Sequence, residues 1–302
     1  MSSIILVDFS PIIYRNLFMN KDFVKDSDYN GLVHLILYSL IKIRKDFIDN
    51  DKLDYDDIVL VFDSVNSWRK EYFKQYINEV YEDYDIKEYK GHRVKDEDID
   101  WNKVFKIVDE IKEYLDKYSD YKIVQVDKCE ADDIIYVFCN EYNKQNKNVL
   151  IISSDKDFIQ LLKFKNVKIY DPLKKIYKEA DGDIYLLKHI LIGDKSDGIP
   201  AVKERLGVKT AEKMLKDLNK LLKIDLKFKK RFLFNKKLID LSEIPSDIYE
   251  NVKEKINIIE KQGKYNQQKL IELCQKYQLK KVVEDLDKFK LKKKKMKIDD
   301  VF

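Results

Sequence analysis

Acidic side chains recur at the ends of apolar, strand-like runs along the first two thirds of the chain. They are Asp8, Asp63, Glu130, Asp132, Asp133, Asp155, Asp157, Asp194 and Asp197. Because open parallel sheets assemble their sites at the carboxyl ends of their strands, we expect these carboxylates to converge. Crowded carboxylates repel one another and must take up protons or cations. Oxygen ligands favour Mg²⁺ or Mn²⁺, and a metal cluster of this kind is suited to hydrolysing a phosphodiester.

Each of these patterns, taken alone, has a simpler interpretation. Asp8 and Asp63 each follow an apolar run directly, where an acid often forms a turn or caps a helix. Glu130 opens a predicted helix, whose N-terminus favours acids. The Asp-x-Asp spacing of Asp155 and Asp157 lets two carboxylates reach one ion from a tight turn. The occurrence of all these acidic patterns together, at corresponding ends of one sheet, favours the metal site.

Five strand-like segments alternate with helical ones, which predicts a parallel sheet covered by helices on both faces. The predicted strands are Ile4–Val7, Ile58–Phe62, Tyr121–Val126, Val149–Ser153 and Val167–Tyr170. Amphipathic helices are predicted at Gly31–Phe47, Val104–Tyr118 and Asp132–Tyr142. The pattern is helical from about Asp183 onward. We therefore predict an α/β, Rossmann-like domain over 1–185, a smaller all-helical domain over 186–290 and a basic, disordered tail over 291–302.

Composition argues against several classes of protein. With 302 residues and 44% hydrophobic content, the chain can bury a large core. No apolar run reaches the roughly 18 residues of a membrane span and no basic secretory segment opens the chain. We expect a cytoplasmic monomer without a membrane partner. Cysteine and histidine spacings indicate neither a disulfide framework nor a zinc site, so we expect structural roles for His34, His92 and His189.

Charge is divided unequally along the chain. Residues 1–200 contain 31 Lys and Arg against 39 Asp and Glu, whereas residues 201–302 contain 28 against 16. An acidic part that can hold metal is thus joined to a basic part that can hold a polyanion. In the basic part, Gly207 precedes a helix that carries Lys209 and Thr210, and the N–H groups of such a turn can bind a phosphate.

These motifs, in this order, resemble the 5′ nuclease (flap endonuclease) superfamily, and within it the T-even phage ribonuclease H group. The resemblance rests on Leu6-Val7-Asp8-Phe9-Ser10, Phe62-Asp63-Ser64 with Ser67-Trp68-Arg69, Glu130-Ala131-Asp132-Asp133, the segment 152–158, the segment 193–197, and Leu238-Ile239-Asp240-Leu241. It implies a PIN-like domain that holds two Mg²⁺ ions, with Mn²⁺ able to substitute. One ion would lie among Asp8, Asp63, Glu130 and Asp132, and the other among Asp155, Asp157 and Asp197, with Asp133 and Asp194 in support.

The family also has a helical arch, which the resemblance places at about residues 66–103. Its Tyr-Lys-x-x-Arg motif fits Tyr89-Lys90-Gly91-His92-Arg93, in competition with Phe73-Lys74. Lys90 and Arg93, together with Asp132 and Asp155, are therefore the expected catalytic residues. The residues expected to contact DNA are Arg69, Lys90, Arg93, Gly207, Lys209, Thr210 and Lys213. A K⁺ ion is implied at the helix–turn–helix loop, although Ala201 and Arg205 replace glycines there.

The function implied by the resemblance is that of a structure-specific 5′→3′ exonuclease and flap endonuclease with ribonuclease H-type activity. Such an enzyme removes RNA primers and adjacent DNA during phage-type replication, in the cytoplasm of the infected cell. Its substrates would be branched or nicked DNA and RNA–DNA hybrids. A sliding clamp, reached through residues 298–302, and a single-stranded-DNA-binding protein are expected partners. Two alternatives remain open: a PIN-type ribonuclease that cuts single-stranded RNA, and a non-catalytic protein that binds DNA junctions.

Overall fold

A mostly parallel sheet carries the predicted strands. The computed structural model describes residues 3–25, 28–49, 55, 57–82, 88–91, 96–259 and 265–291. The strands are β1 (Ile4–Asp8), β2 (Asp57–Val61), β3 (Lys122–Val124), β4 (Val149–Ile152), β5 (Val167–Asp171) and β6 (Ile176–Tyr177). They lie in the order β3-β2-β1-β4-β5-β6, and β6 alone runs antiparallel to its neighbour. The sequence did not predict β6, because two residues are too few to show a strand pattern.

Helices flank the sheet and continue beyond it. They are α1 (Ser10–Met19), α2 (Lys21–Lys25), α3 (Asn30–Arg44), α4 (Trp68–Val80), α5 (Trp101–Tyr118), α6 (Ala131–Lys144), α7 (Gly182–Ile192), α8 (Val208–Leu215), α9 (Leu218–Ile224), α10 (Leu226–Ile239), α11 (Ser246–Ile259), α12 (Gln267–Lys276) and α13 (Lys280–Val283). A π-helical turn, Lys45–Asp49, extends α3, and 3₁₀ turns lie at Asp157–Lys163, Leu241–Glu243 and Leu286–Phe289.

Both faces of the sheet are covered at its centre, which explains why β4 and the first four residues of β1 are continuously apolar. Successive side chains of a strand point to opposite faces. Ile5 and Val7 of β1 pack into a core with α1, α3 and α5, whereas Ile4 and Leu6 pack into a second core with α6. The predicted α/β architecture is thus present, with helices on both sides.

The C-terminal helices divide between two cores. α8, α9 and α10 share a third core with α4 and α7. In contrast, Val252 of α11 packs with α6, and Leu273 of α12 and Val282 of α13 pack with α3 and α5. The boundary at residue 186 stays a prediction, but α11 to α13 contribute to the sheet's own cores. Of the predicted disordered tail, 291–302, Leu291 packs against the first core, and residues 292–302 lie outside the described residues.

The order of the strands places a crevice between the carboxyl ends of β1 and β4. β2 pairs with one edge of β1, and β4 pairs with the other edge. The connections that follow β1 and lead into β4 therefore run to opposite sides of this crevice. Open α/β sheets bind their ligands at such a position. Among the described residues, no helix is long and apolar enough to cross a membrane.

Candidate active site

The crevice brings together acids from β1 and from the loop after β4. The Ser153 hydroxyl donates to Asp8 Oδ2 at 2.9 Å and accepts from the Asp155 N–H at 3.0 Å. Ser153 therefore fixes the side chain of one acid and the backbone of the other. Asp8 is buried, whereas Asp155 is partly exposed at the mouth of the crevice.

Asp63 joins this group from the loop after β2. Its Oδ1 accepts a hydrogen bond of 2.8 Å from the N–H of Ala131, the first residue of α6, and its Oδ2 accepts one of 2.6 Å from the Ser10 hydroxyl. The first turn of α6 also carries Asp132. A free N–H at a helix N-terminus attracts a carboxylate, so the start of α6 holds Asp63 beside Asp132.

The electrostatics of these acids show how closely they approach. Burial, then the charges of Asp63 and Asp155, raise the pKa of Asp8 well above its ordinary value. Burial, then Asp155 and Asp8, do the same to the pKa of Asp132. Four sequence-predicted ligands, Asp8, Asp63, Asp132 and Asp155, thus share one electrostatic environment. The cluster favours bound protons or bound cations.

A second acidic group lies beside the first, on the loop after α7. Asp194 Oδ2 lies 2.9 Å from His189 Nε2 and 2.8 Å from Lys156 Nζ, and its Oδ1 accepts from the Ser196 N–H at 2.7 Å. Although burial acts to raise it, these hydrogen bonds hold the pKa of Asp194 well below its ordinary value. Asp194 is therefore ionised, and it holds His189, Lys156 and the Ser196 N–H in place.

Asp157 completes the second group. Burial and the charge of Asp155 raise the pKa of Asp157 to about 7. His189 Nδ1 lies 3.6 Å from Asp157 Oδ1, and ligand atoms of Asp157, His189 and Asp194 all lie within 4.8 Å of one another. The sequence-based expectation of a purely structural His189 missed this arrangement. The sequence indicates this arrangement only through the position of His189, in the last turn of a helix that leads into an acidic loop.

Two glycines shape the loop that carries Asp194 and Asp197. Gly193 has φ of 72°, and a Cβ there would lie 2.3 Å from the Pro200 carbonyl oxygen. Gly198 has φ of 76°, and a Cβ there would lie 3.1 Å from the Glu88 carbonyl oxygen. Both positions need glycine because L-residues avoid this backbone region and the neighbouring backbone is close. The loop therefore reverses direction sharply, and Gly198 packs against the backbone at Glu88.

That contact brings Lys90 to the acids. The Lys90 N–H donates to the Asp197 carbonyl at 3.0 Å, and Lys90 Nζ donates to Glu130 Oε1 at 3.0 Å. The Tyr89 hydroxyl lies 3.2 Å from Asp197 Oδ2 and 3.3 Å from Glu130 Oε2. The competing candidate Lys74 is exposed on α4. Arg93, the second basic residue of the motif, lies outside the described residues.

Glu130 lies beside two basic groups. Its side chain lies 3.0 Å from Lys90 Nζ and 3.6 Å from Arg69 Nη1. Burial acts to raise its pKa, but Lys90 and Arg69 hold the pKa of Glu130 below its ordinary value. In this arrangement Glu130 positions Lys90, and its predicted role as a metal ligand stays a prediction.

Arg69 and Asp133 form a buried ion pair behind the site. Arg69 is only 2% exposed; its Nη1 lies 2.8 Å from Asp133 Oδ1, and its Nε donates to the Leu238 carbonyl. Asp133 is fully buried and also accepts from Trp68 Nε1 and from the Glu130 N–H. The DNA contact predicted for Arg69 and the metal-supporting role predicted for Asp133 stay predictions; both side chains are buried, and Asp133 accepts the Glu130 N–H. Arg69 therefore links the start of α4 to the last turn of α10.

The residues predicted to bind DNA in a helix–turn–helix are solvent-exposed. Gly207 precedes α8, and Lys209, Thr210 and Lys213 are exposed on that helix. Beside them, a groove of about 630 Å³ is lined by Lys195, Gly198 and Arg205, among others. The groove therefore connects the acidic loop with the N-terminus of α8, where a phosphate backbone can approach.

Comparison with known proteins identifies the family. Residues 3–185 match the family described as 5′–3′ exonuclease, N-terminal resolvase-like domain. The chain belongs to this 5′–3′ exonuclease family. The predicted superfamily and the PIN-like, mostly parallel α/β fold are confirmed.

Several relatives within and around the 5′–3′ exonuclease family are similar over most of the chain. Ribonuclease H of Enterobacteria phage T4 is 32% identical over 212 residues, which are 67% of this chain and 64%, just under two thirds, of that protein. A 5′–3′ exonuclease of Buchnera aphidicola is 30% identical over 70% of this chain and 69% of its own length. The phage T5 flap endonuclease, solved with DNA and metal ions, has the same fold, with a TM-score of 0.62 and 14% identity over 86% of this chain and all of that one.

Proposed function

We propose that this member of the 5′–3′ exonuclease family is a structure-specific 5′→3′ exonuclease and flap endonuclease that uses two divalent cations. The observation that carries the proposal is the convergence of Asp8, Asp63, Asp132 and Asp155 on the crevice between β1 and β4, with pKa values of Asp8 and Asp132 raised by burial and mutual repulsion. Acids that repel one another in a buried crevice are suited to a cation.

The donor atoms fit Mg²⁺, with Mn²⁺ as a substitute. In this proposal Asp8, Asp63, Glu130 and Asp132 hold one ion, with Asp133 in support. Asp155, Asp157 and Asp197 hold the other, supported by Asp194; Asp157 Oδ1 is buried without a hydrogen-bond partner in the described structure. Ions held by these residues would supply an activated water and stabilisation of the leaving 3′ oxygen.

Lys90 is proposed to offset negative charge on the scissile phosphate. It lies between Glu130 and Asp197, which keep its ammonium group at the edge of both acidic groups. A positioned cation of this kind stabilises charge that develops in the transition state. Arg93 is proposed to assist it, on the strength of the Tyr-Lys-x-x-Arg motif. Tyr89 orients Glu130 and Asp197 and so supports Lys90 indirectly.

The proposed substrates are branched or nicked DNA and RNA–DNA hybrids, which include RNA primers. Gly207, Lys209, Thr210 and Lys213 would bind the phosphates of the duplex, with K⁺ at the preceding loop. Contacts of this kind are salt-sensitive and select structure over sequence. A sliding clamp and a single-stranded-DNA-binding protein are proposed as partners, and the infected cell's cytoplasm as the location. Residues 298–302, the proposed clamp contact, lie outside the described residues.

A double substitution tests the metal-dependent mechanism. Asp155→Asn with Asp157→Asn is expected to keep affinity for a 5′-flap DNA in Ca²⁺ but to lose cleavage in Mg²⁺ by about a thousandfold or more, because the metals supply several kcal/mol of transition-state stabilisation. Glu113→Gln with Asp116→Asn, on the exposed face of α5, is the matched control and should cleave as the unmodified protein does. Turnover by the first variant at the unmodified rate would reject the assignment.

The choice of substrate separates the proposal from its alternatives. Product analysis in Mg²⁺ should compare a 5′ flap, a nicked duplex, an RNA–DNA hybrid and free RNA. Cleavage confined to free RNA would support the single-strand ribonuclease. Tight binding of the flap without cleavage of any substrate would support the non-catalytic junction-binding protein.

A further inference from the structure

His189 lies between two aspartates of the second acidic group, and its two ring nitrogens differ. Nε2 is 2.9 Å from Asp194 Oδ2, whereas Nδ1 is 3.6 Å from Asp157 Oδ1. The residue is 8% exposed. Both Nδ1 and Asp157 Oδ1 are buried without a hydrogen-bond partner in the described part of the chain. Buried polar atoms without partners are rare in folded proteins and call for an explanation.

The surroundings of Asp194 decide which nitrogen of His189 carries the proton. Lys156 and the Ser196 N–H both donate to the Asp194 carboxylate, which is therefore an acceptor. His189 Nε2 must then be the donor in the 2.9 Å contact. In the neutral imidazole this leaves Nδ1 with a lone pair, 3.6 Å from another acceptor, Asp157 Oδ1.

The distance between these two acceptors is close to that between two ligands of one metal ion. At 3.6 Å it is longer than an N–H···O hydrogen bond. Two neighbouring ligand atoms that are each about 2.1 Å from an octahedral ion are about 3.0 Å apart, so these two acceptors need to approach by only about 0.6 Å to bind one ion. A histidine that donates its other N–H to a carboxylate is also the usual arrangement of a metal-bound imidazole, since the carboxylate fixes the ring and its tautomer.

We propose that His189 Nδ1 and Asp157 Oδ1 are ligands of one divalent cation, and that the imidazole gives this site a preference for Mn²⁺ over Mg²⁺. Nitrogen ligands suit first-row transition metals, whereas Mg²⁺ favours oxygen. The inference rests on the proposed two-cation site and adds to it a nitrogen ligand and a metal preference. Asp194 acts as the positioning residue that aims His189 at the ion.

Pulsed electron paramagnetic resonance of the full chain with Mn²⁺ alone tests this directly. The unmodified protein should show echo modulation from a directly bound ¹⁴N, and this pattern should change to that of ¹⁵N when only the histidines carry ¹⁵N. His189→Gln should abolish the signal. His34→Gln and His92→Gln are the matched controls and should retain it. Labelling and the two controls decide the question even if His189→Gln does not fold.

Metal affinity provides a second measurement. His189→Gln should weaken Mn²⁺ binding by about tenfold or more, the effect of losing one ligand or its support, and should weaken Mg²⁺ binding much less. Mn²⁺ bound without histidine modulation would overturn this inference while leaving the two-cation proposal intact. Failure of the unmodified protein to bind Mn²⁺ at all would overturn both.

Discussion

Several carboxyl groups in the crevice favour their protonated, neutral form, because they are buried and lie close to other acids. Asp157 is the clearest case, since burial and the charge of Asp155 raise its pKa from 3.8 to about 7. In the cation-free protein, the folded state then binds one more proton than the unfolded chain between about pH 4 and pH 7. Stability contributed by this proton is present at low pH and is lost as pH rises through 7.

Replacing this acid by its neutral isostere should therefore stabilise the cation-free protein. Asp157→Asn is expected to raise the free energy of unfolding in EDTA at pH 8 by about 2 kcal/mol, and to leave it nearly unchanged at pH 4, where the unmodified side chain is protonated. Urea unfolding at the two pH values measures this. Asp116→Asn, exposed on α5, should follow the unmodified protein. Parallel pH curves for Asp157→Asn and the unmodified protein would contradict the explanation.

At the scale of elements, the loop 193–200 and the turn 88–91 act as one unit. Gly198 accepts no Cβ without strain, because its φ is 76° and the Glu88 carbonyl oxygen would lie 3.1 Å away. The adjacent Asp197 carbonyl accepts the Lys90 N–H at 3.0 Å. Lys90 itself has φ of 58°, which is uncommon for a residue with a side chain. The loop thus holds the turn that presents Lys90.

Gly198→Ala is expected to lower stability by about 1 to 2 kcal/mol, the cost of a left-handed backbone for an L-residue. Because Lys90 would shift with the turn, cleavage should also fall. Gly207→Ala is the matched control for stability, since a Cβ there meets nothing within 4 Å. Thermal unfolding and flap cleavage measure the two effects. Equal melting temperatures for the two variants would show that Gly198 carries no strain.

At the scale of the whole molecule, the C-terminal helices complete the core beneath the catalytic sheet. Leu273 of α12 is buried in the same core as Ile5 of β1 and Leu60 of β2. The Asn266 N–H donates to the Tyr118 carbonyl at the end of α5, which fixes the start of this segment. Residues from both ends of the chain therefore stabilise the sheet on which the acids stand.

Leu273→Ala should accordingly destabilise the sheet itself, by about 2 to 5 kcal/mol. Amide hydrogen exchange of β1 and β2 measures this, and it should accelerate with the loss of global stability. Leu226→Ala is the control, because Leu226 is 78% exposed and its loss should cost about 0.5 kcal/mol or less. Unchanged exchange in β1 and β2 would indicate that the C-terminal helices fold as a separate unit.

The sequence by itself determined the parallel sheet and most of the acidic site. Unbroken apolar runs such as Ile4–Val7 are typical of strands buried on both faces, and acids placed directly after them must reach the same edge of the sheet. Local pattern therefore carried enough information to bring Asp8, Asp63, Asp132 and Asp155 together. It also identified the family, which the comparisons confirm.

Only the tertiary structure decided what each polar side chain faces. Arg69 and Asp133 carry charges that suit DNA or metal, but they meet each other in the interior; Glu130 meets Lys90. His189 has no ligand spacing in the sequence, because its partners come from a loop after β4 and a loop after α7. Spacing along a chain shows which edge of a sheet a residue reaches. The direction and the partners of its side chain depend on contacts between distant segments, which form only on folding.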